Sequence, residues 1–284
     1  MNRLKLYSVF ASAVMMMLMF GAQLLAAQAA DNNRITVPLT DPSRPAQVHA
    51  HLVSGSITVK AYDGKAVIVE AKTRGDDGEE QEKPRHEGNL RRIPMNSTGL
   101  NVEAENNQVR VSTDSYRHAI DLTLTVPVHT SLSLHTVNDG NIMVAGVDGE
   151  LDVNDVNGEV TLKNISGSAV AHALNGKVLV TFNRVDPQKP MAFSSLNGDI
   201  DVTFPADIKA SLSLRTDNGE VYSDFDIQLQ TTAPQQTTDD GRGKGGKYVV
   251  RVERTVKGTI NGGGQEIQFK NFNGNIYIRK AGGK

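Results

Sequence analysis

Between Gly140 and Asn175 the chain repeats one nine-residue pattern four times: Gly, any, apolar, any, apolar, any, any, apolar, then Asp, Asn or Ser. The apolar positions are Ile142, Val144 and Val147, then Leu151, Val153 and Val156, then Val160, Leu162 and Ile165, then Ala169, Ala171 and Leu174. A fixed period this short builds an architecture, because each unit must stack on its neighbours through the same face. It carries almost no information about chemistry.

The pattern recurs beyond this array. Gly55 opens a copy with Ile57, Val59 and Tyr62 that ends at Asp63-Gly64. Lys189 replaces the leading Gly before Met191, Phe193, Leu196 and Asn197-Gly198. Ala210 does so before Leu212, Leu214 and Asn218-Gly219, with Asp217 at the third apolar position. Gln265 precedes Ile267, Phe269, Phe272 and Asn273-Gly274. Two apolar residues two apart point to one side of a strand. The third, after two polar residues, is expected where the chain bends and turns its apolar side inward again. Asp/Asn-Gly pairs then form the corner, since both residue types tolerate left-handed backbone angles. No segment after residue 30 shows convincing helical periodicity; the chain reads as all-β.

Two architectures fit. Asn-Gly between short strands is also a strong hairpin signal, so an antiparallel meander is one option. Near-identical units with one inward pattern favour the other, a right-handed parallel β-helix or β-solenoid built from nine-residue Gly-cornered strand units. Two units per coil would span 18 residues and rise about 4.8 Å along the axis.

Residues 1–29 read as a signal peptide, with Arg3 and Lys5, an apolar run from about Val9 to Leu25, and Ala27-Gln28-Ala29 before a cleavage point at Ala30. Export is therefore expected, to the periplasm or to the cell surface and beyond. The apolar run is also just long enough to serve as an uncleaved anchor; no second such stretch occurs, so the mature chain is expected to have no membrane span. There are no cysteines, which removes disulfides, thiol catalysis, cysteine-bound zinc and lipidation through cysteine. A net charge of −2 argues against a dedicated nucleic-acid binder. Trp is absent and aromatics are 5% of residues, so stacking platforms are scarce. After a cap or linker at 30–46, residues 47–280 read as one β domain with a short tail at 281–284. Two stretches interrupt it: the charged 74–92 and the Thr/Gln/Gly-rich 231–247, both read as loop excursions. Ile35, Val37 and Leu39 are candidates to cap the start of the stack, and Arg279, Lys280 and Lys284 to discourage pairing at its end.

The Asn-Gly-x-[Ile/Val] corners at Asn157, Asn175, Asn197, Asn218 and Asn273 resemble those of a bacterial family catalogued as domain of unknown function 4097 and labelled "putative adhesin". Phe204-Pro205-Ala206-Asp207 and Thr259-Ile260-Asn261-Gly262-Gly263 are similar to that family as well. The resemblance covers roughly residues 47–280 and implies an exported β-strand repeat. It brings no catalytic residue set.

Each motif with chemical content has a plainer reading beside it. Gly241-Arg-Gly-Lys-Gly-Gly246-Lys247 satisfies most of a phosphate-binding loop. Tyr248 replaces the Ser or Thr such a loop needs, and a strand pattern follows where a helix is required. Asp and Asn at the corners invite a calcium reading, but each corner offers one side chain and Ser166 breaks the series. Glu150 with Asp152, and Asp199 with Asp201, share strand faces about 6.6 Å apart, a spacing compatible with an inverting glycosidase. His49 and His51 also share a face, with no third ligand identifiable among His86, His118, His129, His135 and His172. Arg74-Gly75-Asp76 matches an integrin-binding tripeptide.

No catalytic, cofactor-binding or metal-binding residues are assigned from the sequence. The expectation is a non-enzymatic structural or binding module of the bacterial envelope, adhesin-like, whose ligand is a protein or a glycan. The alternatives are a carbohydrate-active β-helix enzyme and an accessory to envelope-stress sensing. Carboxylates grouped with a basic residue in one groove would favour the enzyme; a featureless polar face would favour the module.

Overall fold

The computed structural model describes residues 34–74, 86–87, 90–91, 99–113, 118–230, 235–240, 248–253 and 255–282. The leader and most of the two expected loop excursions lie outside the described residues. The segment Ile35–Lys284 forms one compact unit, and among its described residues every long element is a strand. Twenty strands join in one continuous sheet.

The sheet has two ribbons that share the long strand Val160–Ala173. The first runs through Ala46–Ser54, Thr130–Asn138, Asp148–Asp155, the second half of Val160–Ala173, Met191–Asn197, Gln265–Asn273 and Ala210–Asn218, each pair parallel. The second carries one unbroken row of partners: Leu122, Ile57, Ile142, Val160, Val178, Ile200, Ile276 and Val221. Within the array the 18-residue register is present, as Ile142↔Val160 and Val160↔Val178. The inward residues of both ribbons form one core. Phe182 and Phe204 stack at 5.4 Å, Phe193 and Phe269 meet tilted at 5.3 Å, and Phe193 and Phe204 are in edge contact across the core at 6.3 Å.

This is not the expected right-handed β-helix or β-solenoid. The strand order is mixed, and the sheet nearly closes on itself as a barrel instead of remaining an open coil. Antiparallel pairs join Ala66–Thr73 to Ile120–Pro127, Leu100–Glu105 to Gln108–Thr113, and Val256–Ile260 to both Ala210–Asn218 and Gln228–Gln230. At least one strand of each of these pairs lies where the nine-residue period fails. Without the repeat's corner, the chain runs back antiparallel to a strand already in the sheet, satisfying edge N–H and C=O groups that an open stack would leave bare. The strand Ile276–Lys280 is paired along its whole length on one side and only as far as Ile278 on the other, so Arg279 and Lys280 have a strand partner on one side only; Lys284 lies outside the described residues. At the start, Val37 and Leu39 are buried as expected of a cap, whereas Ile35 is exposed.

The glycine corners also work differently from expectation. Gly140, Gly158, Gly176 and Gly198 are not among the residues with positive φ. What they require is space. A Cβ on Gly158 would lie 1.8 Å from the Gly140 carbonyl oxygen, and one on Gly176 1.8 Å from that of Gly158. Gly198, Gly274 and Gly219 continue the column in the same way. Beside it runs a ladder of side-chain amides: Asn218 donates to Asn273, Asn273 to Asn197, Asn197 to Asn175, Asn175 to Asn157 and Asn157 to Asn138, at 2.8–3.0 Å. Amide ladders of this kind polarise along their length.

Three substitutions rank these contributions in a urea-unfolding series. Val160 is fully buried, so Val160→Asp places an unpaired charge in the core and is expected to cost several kcal/mol. Gly176→Ala drives a methyl into backbone and is expected to cost about 3 kcal/mol or prevent folding. Asn175→Ala removes two exposed ladder bonds and is expected to cost only about 1–2 kcal/mol. An unchanged midpoint for Gly176→Ala would show that the corners are free to separate.

Candidate recognition face

Strand alternation puts one row of side chains from the first ribbon outside. Among the described residues, three hollows of more than 300 Å³ lie along it. The first, about 380 Å³, is bounded by His49, His51, Glu103, Arg110, Ser133 and His135. The second, about 360 Å³, shares His49 and Ser133 and adds Glu150, Asp152, Val170 and Lys189. The third is the largest, about 560 Å³, and is lined by Asn154, Val156, His172, Leu174, Ser194, Leu196, Arg215, Lys270 and Phe272 among others.

The third hollow exists because the third apolar position of several units faces out, against expectation. Val147 and Ile165 are buried, but Leu174 is 43%, Leu196 40% and Phe272 44% exposed. In these units the strand does not bend after the second apolar residue. Alternation continues one more step and the inward place goes to the preceding residue: Asp155, Ala173, Ser195 and Asn271. Registers Ala173↔Ser195 and Ser195↔Asn271 set Leu174, Leu196 and Phe272 one above another as an aliphatic and aromatic stripe. Beside it runs a polar row, His172, Ser194, Lys270 and Arg215, on the same strands. Ser194 hydrogen-bonds the His172 imidazole. Arg215 and Lys270 are register partners, so two cations stand side by side, an arrangement that costs stability unless a negative charge joins them. Arg215 pairs with Asp217 at 3.5 Å; Lys270 has no ion-pair partner among the described residues.

The carboxylate pairs acquire basic partners the local sequence did not show. Lys189 reaches Glu150 at 2.7 Å, and Arg279 reaches Asp201 at 2.8 Å while lying over the Tyr277 ring. Asp199 accepts the Asn275 backbone N–H at 2.9 Å and faces Lys177 at 4.0 Å. Glu150 and Asp152 therefore do share a hollow with a lysine, the arrangement set above as favouring an enzyme. Glu150 is 64% exposed at its side chain, and no aromatic ring lines its hollow apart from His49. Asp199 and Asp201 lie on the second ribbon, away from this face.

His49 and His51 are both exposed on the outer face. His51 stacks flat on His135, centroids 4.9 Å apart, so the rings lie parallel instead of converging on a point. Burial, and then the neighbouring His51, hold the His135 imidazole below its usual pKa, with Asp152 pulling the other way. Among the described residues no three His, Cys, Asp or Glu side chains come together in a way that could hold a metal ion. The Asn corners read as calcium ligands are occupied by the amide ladder. Tyr248–Glu253 is a strand paired to Gln235–Asp240, so the helix a phosphate loop needs is not there; Gly241–Lys247 itself lies outside the described residues. Arg74 is held by Asp121 and Ser56, with Asp121 lowered in pKa chiefly by that arginine; Gly75 and Asp76 lie outside the described residues. Lys270, Arg215 and the exposed stripe were missed in the sequence. Strict alternation counted onward from the second apolar residue of each unit would have found the stripe.

No helix of the described residues is long and apolar enough to cross a membrane. No curated protein matches the chain. Among solved structures, a "putative cell adhesion protein" from Clostridium sporogenes is similar at 11% identity and a TM-score of 0.43, over 87% of this chain and 98% of that one. A "putative adhesin" from Bacteroides fragilis is similar at 12% identity and a TM-score of 0.33, over 88% and 98%. The model of one family, described as Toastrack DUF4097, matches residues 11–261. That range takes in most of the glycine corners and most of the strands of the outer face, Gln265–Asn273 excepted, and the chain belongs to the Toastrack DUF4097 family.

Proposed function

We propose that this chain is a non-catalytic binding module that works outside the cytoplasm, adhesin-like in the broad sense of holding a ligand on a sheet face. The ligand is elongated, with apolar groups for the stripe and a negative group for the cations beside it. The observation that carries this is the set Leu174, Leu196 and Phe272, exposed in register beside Lys270, which has no ion-pair partner among the described residues. Large apolar side chains left in a contiguous row on a soluble surface, with polar groups at the rim, mark a contact site. Export rests on Arg3, Lys5, the apolar run and Ala27-Gln28-Ala29.

A second reading has one observation in its favour, the Glu150–Lys189 pair beside Asp152. It would make the chain a polysaccharide-cleaving enzyme. An exposed, ion-paired carboxylate in a hollow with no sugar-stacking platform is a poor general acid, so binding is preferred.

Anilinonaphthalene sulfonate, an apolar anion, serves as the probe. The folded chain is expected to bind it saturably, and Lys270→Glu combined with Leu196→Ser to weaken binding at least about tenfold, some 1.4 kcal/mol, with an unchanged unfolding midpoint. Equal binding by the variant would remove this face from the proposal. Release of reducing sugar from envelope polysaccharide by the native chain, lost in Glu150→Gln, would instead establish the enzyme.

A further inference from the structure

Stacked corner glycines leave each carbonyl oxygen pressed under the next strand, and four strands meet that carbonyl with a donor. Thr136 donates to Gly55, Ser195 to Gly176 and Asn271 to Gly198, each at 2.9 Å, and Thr216 to Gly274 at 3.1 Å. These residues occupy one register column: Thr136↔Asp155, Asp155↔Ala173, Ala173↔Ser195, Ser195↔Asn271 and Asn271↔Thr216. Asp155 thus holds a position at which hydroxyls and an amide elsewhere supply a proton. The carbonyl opposite it belongs to Gly140. A Cβ on Gly158 would lie 1.8 Å from that oxygen and 2.7 Å from Asp155 Oδ2.

Asp155 is 1% exposed, and neither of its carboxyl oxygens has a hydrogen-bond partner. Among the described residues it is the one buried ionisable side chain. An ionised carboxylate has only acceptors, so here it would set one oxygen charge against another with no well-formed hydrogen bond to compensate. We infer that Asp155 is carried as the neutral carboxylic acid and donates its proton to the Gly140 carbonyl, making this corner a latch that closes in mild acid and is strained once the carboxyl ionises.

The surroundings agree. Burial pushes the Asp155 carboxyl up to about 7, against a smaller opposing pull from the Asn157 backbone amide, which faces it outside good hydrogen-bonding geometry. No charged group contributes to that shift. Its neighbours in register are Thr136 and Ala173, and the core it borders is apolar. The ionisable residues adjoining the two corner glycines, Asp139 before Gly140 and Glu159 after Gly158, are not buried, and Glu159 accepts the Thr161 hydroxyl. Asp152, His135 and His172 are on the outer side of the same strands.

The sign follows from linkage. The folded carboxyl binds its proton up to about pH 7, the unfolded one only to about 3.8. The folded chain therefore holds the extra proton between those limits, so this contribution to stability is full below about pH 4, lost as pH rises towards 7, and constant above.

The test compares the native chain with Asp155→Asn, whose amide can donate at every pH. Urea midpoints are taken from pH 4.5 to 8.5, and other carboxylates cancel because both chains carry them. The folding constant of the native chain relative to the variant is expected to fall about tenfold per pH unit up to about pH 7, then level off. Should Asp155→Asn fail to fold, Asp155→Ser, which copies Ser195 in the same column, takes its place. Infrared spectra of the folded native chain at pH 6 are expected to contain one protonated carboxylic acid band that the variant lacks. A pH-independent ratio, or no such band, would overturn the inference whether or not the outer face binds its ligand.

Discussion

The corner glycines of neighbouring strands leave no room for a side chain between them. Each lies against the carbonyl of the one beside it, in a column from Gly55 through Gly140, Gly158, Gly176, Gly198 and Gly274 to Gly219. Any side chain there would push the strands apart, so the column fixes the register of everything attached to it. Backbone permissiveness, the usual reason for glycine in a turn, is secondary at most of these corners. Close packing of backbone on backbone is the operative constraint.

Two polar columns follow from that register. The exposed one is the amide ladder from Asn218 to Asn138, in which each side chain satisfies the next. The buried one is the set of donors that reach the glycine carbonyls, Thr136, Ser195, Asn271 and Thr216, with Asp155 among them. Buried polar groups are tolerated when they are hydrogen-bonded, and this column lets a packed corner keep its carbonyls satisfied. It also gives one strand a carboxyl where four others in the column carry neutral donors, and so lets solvent proton concentration act on a corner of the core.

The repeat made the all-β class and the inward residues of the array legible, since period-two alternation bounded by Asn-Gly has few other meanings. Ile142, Val144, Leu151, Val153, Val160 and Leu162 are all buried as read. The handed open coil was misjudged because segments outside the period, such as Ala66–Thr73 and Val256–Ile260, return as antiparallel partners. Leu174, Leu196 and Phe272 were placed inside because an apolar residue near a corner looks like core, yet strict alternation sends them out. Lys189 and Arg279 could not be joined to Glu150 and Asp201 by local spacing, being 39 and 78 residues away.

What the sequence determined by itself was the unit: a short strand with two inward aliphatic residues and a glycine at its corner. That information is local, carried by residues two to nine apart. The tertiary structure alone decided which units lie side by side, hence which cations meet the exposed stripe and which carbonyl faces Asp155. Those neighbours come from strands 18 to 76 residues distant, and register across a sheet is fixed by backbone hydrogen bonds and close glycine contact, neither of which any single unit spells out.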